Sequence, residues 1–246
     1  MEQNEDTILD VLERFDSLWE QRMTLGRLPA VLLADALAAT AAEVLDADGV
    51  GITVLAGNRL RVPIGASGPV ASAAERLQFT VGDGPCFRVF DDRHTALFNG
   101  SALDEQFPTF FDGLTRHTPF RSIVATPLGM SRPWGMLDAY HRSSHPDDAA
   151  PSVRAIGNRV TAVLTETSAV AEAIGNRPDP DYKAPWDDRM HVWQATGMTG
   201  LALDVDMSNA LALLRGAAFS AEMDIDELAA EIIAGTRNPR DLVDAD

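Results

Sequence analysis

The chain has 246 residues, and 46% of them are hydrophobic, which suits packed cores and excludes a wholly disordered protein. Its formal net charge is −17, from 37 acidic and 20 basic residues, and Lys183 is its only lysine. A field of this sign repels nucleic-acid backbones at long range. Non-specific DNA binding through overall charge is therefore excluded. Any contact with nucleic acid has to come from a few polar or basic side chains at defined positions.

The cysteine count, the first residues of the sequence and the length of the apolar stretches predict a soluble, cytoplasmic protein. Cys86 is the only cysteine, so no internal disulfide can form, and the sequence starts with the acidic stretch MEQNEDTILD, unlike a signal peptide. The longest apolar stretches, 28–42 and 160–173, contain acidic residues and are too short for a membrane span. We therefore expect no membrane association.

Two helices are predicted before the first strand. Residues 7–20 carry apolar side chains at alternating spacings of three and four, which makes one stripe on a helix. We assign residues 1–27 to an N-terminal helix and expect its stripe to contact a partner in a dimer. Residues 28–45 repeat the helical pattern up to the turn at 46–49.

A sheet of about five strands is predicted next, interrupted by short helices. The two strands of a first hairpin have turn residues between them, and a loop rich in glycine follows the first short helix. The predicted strands are 50–55, 60–64, 95–98, 120–127 and 134–141, and the predicted helical segments are 71–79, 87–90 and part of 103–116.

The remainder of the chain reads as helical. A long helix over 147–174 is expected to connect the sheet domain to the next unit and to take part in dimerisation, and the two prolines in 176–185 mark a linker. Helices over 186–203, 207–220 and 225–236 then form a small bundle, ahead of a tail at 241–246. The predicted fold class is α+β: a sheet domain with flanking helices, followed by an all-α three-helix bundle within 186–240.

Three motifs stand out in the sheet domain: the glycine loop at 81–86, the Phe-Pro-x-Phe helix start at 107–110, and the final hairpin at 123–128 and 135–140. In their order and spacing, these motifs resemble those of GAF domains of the actinobacterial type. The resemblance covers residues 28–175. It implies a sensor domain that receives a small ligand, a redox signal or a partner.

In the helical bundle, an A-x-G motif at 195–197 is followed by an A-x3-LR-x2-A motif at 210–218 and by a last short helix. This arrangement resembles that of ANTAR domains. The matching residues are Ala195, Gly197, Ala210, Leu214, Arg215 and Ala218. Proteins that join these two modules are sensors that bind RNA stem-loops as dimers and cause transcription antitermination, so the resemblance implies that function here.

The candidate RNA-binding groups are few, because residues 187–246 contain four arginines against twelve acidic residues. The candidates, which offer positive charge or hydrogen bonds to a hairpin, are Arg189, His191, Gln194, Thr196, Thr199 and Arg215. Arg215 could equally form a structural salt bridge with Asp206 or Glu222. The acidic balance leaves a second hypothesis open, in which the bundle no longer binds RNA and docks a basic protein partner.

Aromatic side chains of the sheet domain outline a candidate sensor pocket, although the same residues could simply fill a core. The set is Phe79, Cys86, Phe87, Phe98, Phe110, Phe120 and Tyr140. Cys86 is interpreted as a packing residue rather than a redox sensor, since no resolving cysteine exists. His141 and His145 do not share a helical face, so no metal site is predicted. No cofactor and no catalytic constellation are expected either.

Overall fold

The computed structural model describes residues 2–24, 30–56, 60–129, 132–143, 149–166 and 185–243. Its helices are α1 (Glu2–Thr24), α2 (Ala30–Val44), α3 (Pro69–Val81), α4 (Pro85–Asp92), α5 (Gly100–Gln106), α6 (Pro108–His117), α7 (Ala149–Glu166), α8 (Pro185–Leu203), α9 (Met207–Ser220) and α10 (Ile225–Ala234). Its strands are β1 (Gly49–Ala56), β2 (Leu60–Ala66), β3 (Ala96–Phe98), β4 (Ser122–Leu128) and β5 (Gly135–His141), and a 3-10 helix spans Pro239–Leu242. The linker expected at 176–185, apart from Pro185, and both ends of the helix expected at 147–174 lie outside the described residues.

The five strands form one antiparallel sheet in the order β2-β1-β5-β4-β3. The central pairing joins β1 to β5, with Gly51 opposite Asp138 and Thr53 opposite Met136. The β1–β2 ladder has a bulge at Ile52 and Thr53. The structure confirms the sheet domain with flanking helices that the sequence predicts, and it shows that the pairing is antiparallel throughout.

Helices cover both faces of the sheet, because its strands are apolar on both sides. On one face, α2 and α7 pack on Val50, Ile52, Val124 and Leu137, and α1 packs on α2 and α7 in the same core. On the other face, α3, α4, α5 and α6 pack around the side chains that alternate with these. The sheet domain therefore contains two cores, one on each face.

The apolar stripe of α1 lies inside this chain's own core. Phe15 is fully buried and Val11 nearly so, and α1 contacts both α2 and α7. Arg159 of α7 also forms an ion pair with Asp16. The sequence pattern correctly predicted that α1 is amphipathic. Its apolar face packs on α2 and α7 of the same chain, whereas we expected a dimer partner there.

Helix starts follow local sequence signals. Pro69, Pro85 and Pro108 begin α3, α4 and α6, where a missing N–H costs nothing and the fixed φ angle suits a helix. The carboxylate of Asp206 caps α9 by accepting a hydrogen bond from the backbone N–H of Asn209 at 2.9 Å. None of the described helices is long and apolar enough to cross a lipid bilayer.

The three C-terminal helices form a third core and contact the sheet domain. Val192, Leu214, Leu228 and Ile232 are buried in this core, and Phe79 of α3 inserts into it from the sheet domain. α9 lies against α3, and α8 lies against strand β2. The bundle is thus docked on the sheet domain and shares a buried aromatic residue with it.

Candidate functional site

A cluster of polar side chains is buried between the sheet and α3, at the position where the sequence predicts an aromatic pocket. Its members, here called the polar cluster, are at most 1% exposed: Thr53, Arg61, Glu75, Gln78, Asp138 and Tyr140. The members come from β1, β2, α3 and β5, so the fold brings together residues up to 87 positions apart. Buried charges are stable only when they are paired and hydrogen-bonded, so each group of the cluster needs partners within the fold.

Glu75 is the centre of the polar cluster. Its Oε2 accepts hydrogen bonds from Thr53 Oγ1 and Arg61 Nη2, each at 2.6 Å, and its Oε1 accepts one from the Tyr140 hydroxyl at 2.5 Å. Gly51 makes the space for this carboxylate, since a Cβ there would lie 2.3 Å from Glu75 Cδ. Gly51 is therefore required by the polar cluster rather than by a turn.

Gln78 connects Tyr140, which is hydrogen-bonded to Glu75, to Asp138 and to α4. Its Nε2 donates to Asp138 Oδ2 and to the Tyr140 oxygen, each at 2.9 Å, and its Oε1 accepts from the Cys86 backbone N–H at 3.2 Å. Arg61 Nη2 lies 3.5 Å from Asp138 Oδ2. Two buried atoms, Arg61 Nε and Asp138 Oδ1, have no hydrogen-bond partner among the described residues.

The charges in the polar cluster do not balance, because one arginine faces two carboxylates. Burial, and then repulsion from Glu75, raise the pKa of Asp138 to about 7, although Arg61 and Gln78 oppose the rise. Burial alone would lower the pKa of Arg61, but attraction to the surrounding acidic groups raises it above its ordinary value. Asp138 is thus the group whose charge responds to proton concentration near neutrality.

The structure places the predicted pocket residues in a filled core, with one exception. Cys86, Phe87, Phe98, Phe110, Phe120 and Tyr140 all belong to the core beneath α3 to α6. The Phe120 and Tyr140 rings are stacked at 5.0 Å. Phe79 faces the other way, into the C-terminal bundle. Burial raises the pKa of the Cys86 thiol well above its ordinary value, so the reactive thiolate is not formed at neutral pH.

The contact between the sheet domain and the bundle centres on Phe79. Its ring meets Trp193 of α8 edge-to-face at 6.0 Å, and the Arg215 guanidinium lies 5.1 Å above the ring. Arg215 Nε also donates to the Phe79 backbone carbonyl at 3.0 Å. The partner of Arg215 is therefore this carbonyl, whereas the sequence suggested Asp206 or Glu222. Burial and the charge of Arg61 lower the pKa of Arg215 to about 10.

The structure places five of the six candidate RNA-binding residues in different environments. His191 and Gln194 are exposed on α8, whereas Thr196 and Thr199 are fully buried. The Thr196 hydroxyl donates to the Val192 carbonyl at 2.6 Å, within its own helix. Arg215 is held against the sheet domain, and the side chain of Arg189 lies outside the described residues. The five candidates whose side chains are described are therefore not all on one open surface in this conformation.

Four of the residues that match the two C-terminal motifs are buried between the helices of the bundle, and Gly197 differs from them. Ala195, Ala210, Leu214 and Ala218 are fully buried, and Gly197 is partly buried. A Cβ at Gly197 would meet nothing within 4 Å. The alanines therefore have a packing role in the bundle, while the structure gives no steric reason for glycine at position 197.

Sequence analysis missed the polar cluster, although one signal was present. Asp138 stands in β5 among Met136, Leu137, Ala139 and Tyr140, and a lone carboxylate in such a strand has to find buried partners. Arg61, Glu75 and Gln78 gave no signal, since each reads as an ordinary polar position of a strand or a helix. In the described part of the chain, no group of three His, Cys, Asp or Glu residues could hold a metal ion.

Comparison with known proteins agrees with the sheet architecture. Residues 30–164 match the family model described as the GAF domain. No curated protein matches the chain. Similar solved structures include the GAF domain of a phosphoenolpyruvate-protein phosphotransferase from Coxiella burnetii (12% identity, TM-score 0.49, 67% of this chain and 98% of that one). The corresponding domain from Acinetobacter is also similar (12%, 0.47, 69% and 98%), as is a type II free methionine-R-sulfoxide reductase from Thermoplasma acidophilum (14%, 0.39, 56% and 96%).

Proposed function

Because this chain belongs to the GAF domain family, whose members are generally sensory and non-catalytic, we propose that it is a signal-responsive regulator without enzymatic activity. In this proposal the sheet domain receives a small ligand or another signal. The docked helical bundle delivers the response. The observation that carries the proposal is that one helix, α3, contacts both the polar cluster and the bundle.

The two faces of α3 have different partners within one helical turn. Glu75 and Gln78 reach into the polar cluster, whereas Phe79 enters the core of the bundle and Arg76 lies 3.7 Å from Asp224. The Phe79 carbonyl, one residue after Gln78, accepts the hydrogen bond from Arg215. A signal that changes the charge or hydrogen bonds of Glu75 or Gln78 would therefore displace the backbone that holds the bundle.

For the output we propose RNA hairpin binding leading to transcription antitermination, on the strength of the ANTAR-like motifs. Docking limits this activity, because the Nε–H of Arg215 is bound to the Phe79 carbonyl and its guanidinium lies over the Phe79 ring, so the paired Nε and Nη donors are not both available to a phosphate group. Release of the bundle would free the Nε–H of Arg215, in addition to the already exposed His191 and Gln194. The sensor would in this way control how many RNA-binding groups are available.

A second candidate output is the docking of a basic protein partner. Four arginines against twelve acidic residues in 187–246 favour this alternative, since phosphate binding needs positive charge. Exposed apolar side chains on α8, Met190 at 64% and Leu201 at 88%, would contribute to such an interface. A homodimer would also need a surface of this kind, because the stripe of α1 is buried within the chain.

The two outputs are separated by crosslinking the full-length protein to cellular RNA and sequencing what is recovered. The test variant is His191→Glu combined with Gln194→Glu, which places two negative charges on the exposed face of α8. The matched control is Arg88→Glu, which makes the same change in net charge on the exposed surface of α4. Enrichment of hairpins that is lost only in the test variant supports RNA binding. Absence of hairpin enrichment with the unmodified protein rejects it and favours the protein-interaction output.

A further inference from the structure

A small groove lies at the other side of the sheet, away from the polar cluster and from the bundle. It has a volume of about 250 Å³ and is enclosed by the end of α4, the end of β4 and the first turns of α7. The described residues that line it are Arg93, His94, Thr95, Thr126, Pro127, Gly129, Pro133, Arg154 and Asn158. No acidic side chain is among them, in a chain whose net charge is −17.

The two arginines of this groove have free guanidinium groups. Within the described part of the sheet domain, most arginines have a partner: Arg61, Arg76, Arg88, Arg116, Arg121, Arg142 and Arg159 each form an ion pair or a side-chain hydrogen bond. The guanidinium groups of Arg93 and Arg154 form no ion pair and no hydrogen bond with any described residue. In an acidic protein, two unpaired arginines in one concave site represent positive charge that the chain itself does not neutralise.

The floor of the groove adds fixed hydrogen-bond donors. The Thr126 side chain is buried, and its hydroxyl lies 2.6 Å from that of Thr95. Only one of these two hydroxyls can donate to the other, so the second proton has no acceptor among the described residues. The Nδ1–H of His94 is donated to the Asp92 carbonyl, at 3.0 Å, and is therefore not available to a ligand. The donors thus approach the groove from three elements of the fold.

We propose that this groove binds the phosphate group of a small phosphorylated ligand. Guanidinium groups bind phosphate oxygens through paired, charge-assisted hydrogen bonds. The lining offers donors from the end of α4, from β4 and from α7, and a tetrahedral oxyanion can accept from all three, whereas one arginine alone can satisfy a planar carboxylate. The site is separate from the polar cluster and does not depend on RNA binding by the bundle, so it gives the sheet domain a second point of contact with small molecules.

The test is isothermal titration calorimetry of the full-length protein with inorganic phosphate, at an ionic strength held constant with sodium chloride. Saturable binding is expected, and Arg93→Gly and Arg154→Gln should each weaken it about tenfold or more. Arg88→Gln is the matched control, because Arg88 is exposed on α4 and paired with Asp92. It should leave the affinity unchanged.

Arg93→Gly also separates loss of binding from loss of folding. Arg93 has a φ of +58°, a left-handed conformation that glycine adopts without strain. The variant should therefore keep or raise the melting temperature while it loses phosphate affinity. The proposal is overturned if phosphate gives no saturable heat, if both variants bind as the unmodified protein does, or if succinate binds as tightly as phosphate.

Discussion

Replacement of Asp138 by asparagine should make the protein more stable at high pH, and the reason lies in the polar cluster. One oxygen of Asp138 accepts from Gln78 at 2.9 Å, and the other has no partner among the described residues. Arg61, Glu75 and Tyr140 are the charged or titratable groups that face it from β2, α3 and β5. Asparagine keeps an acceptor for Gln78 and removes the negative charge.

The size and sign of the effect follow from the pKa of Asp138, which is raised from 3.8 to about 7. Between these values the folded protein binds a proton that the unfolded chain has released. Stability from this group is therefore full at low pH and is lost as pH rises through the window. Each pKa unit corresponds to about 1.4 kcal/mol, so the whole shift is on the order of 4 kcal/mol. Between pH 5 and pH 8 the stability of Asp138→Asn relative to the unmodified protein should increase by about 3 kcal/mol.

Urea unfolding followed by circular dichroism at pH 5 and pH 8 measures this difference. The control is Asp112→Asn, because Asp112 is exposed and pairs with Arg116 on the surface of α6. For the control, the difference from the unmodified protein should vary by less than about 1 kcal/mol between the two pH values. If Asp138→Asn differs from the unmodified protein by the same amount at both pH values, or has a smaller advantage at pH 8 than at pH 5, the account of the polar cluster is incorrect.

Two further substitutions test the close fit of Gly51 against Glu75 and the contact between α3 and the bundle. Gly51→Ala puts a Cβ 2.3 Å from the tethered Glu75 carboxylate and should destabilise the fold by about 1–3 kcal/mol or more; an unchanged melting temperature would contradict the tight fit. Trp193→Ala removes the edge-to-face contact with Phe79. Amide hydrogen exchange in α3 and α8 should then accelerate while β4 and β5 remain protected, and unchanged exchange in α3 would argue against docking through Phe79.

Local elements were largely predictable from the sequence, whereas contacts between distant segments were not. The pattern predicted helices over 207–220 and 225–236, close to the observed α9 and α10, because apolar spacing and acidic caps are local signals. The acceptor for Arg215 is 136 residues earlier in the chain, at Phe79. Periodicity shows that a residue faces a core but not which core it faces, so Phe79 was assigned to the sensor pocket although it packs in the bundle.

The packing of α8 against β2 has a consequence for the released form of the bundle. β2 is an outer strand of the sheet, and α8 lies beside it. An uncovered edge strand presents unpaired backbone groups that can join a strand of another molecule. If the bundle moves away, the protein loses this protection. Self-association of the activated protein should therefore rise with its concentration, unless the output partner also shields that edge.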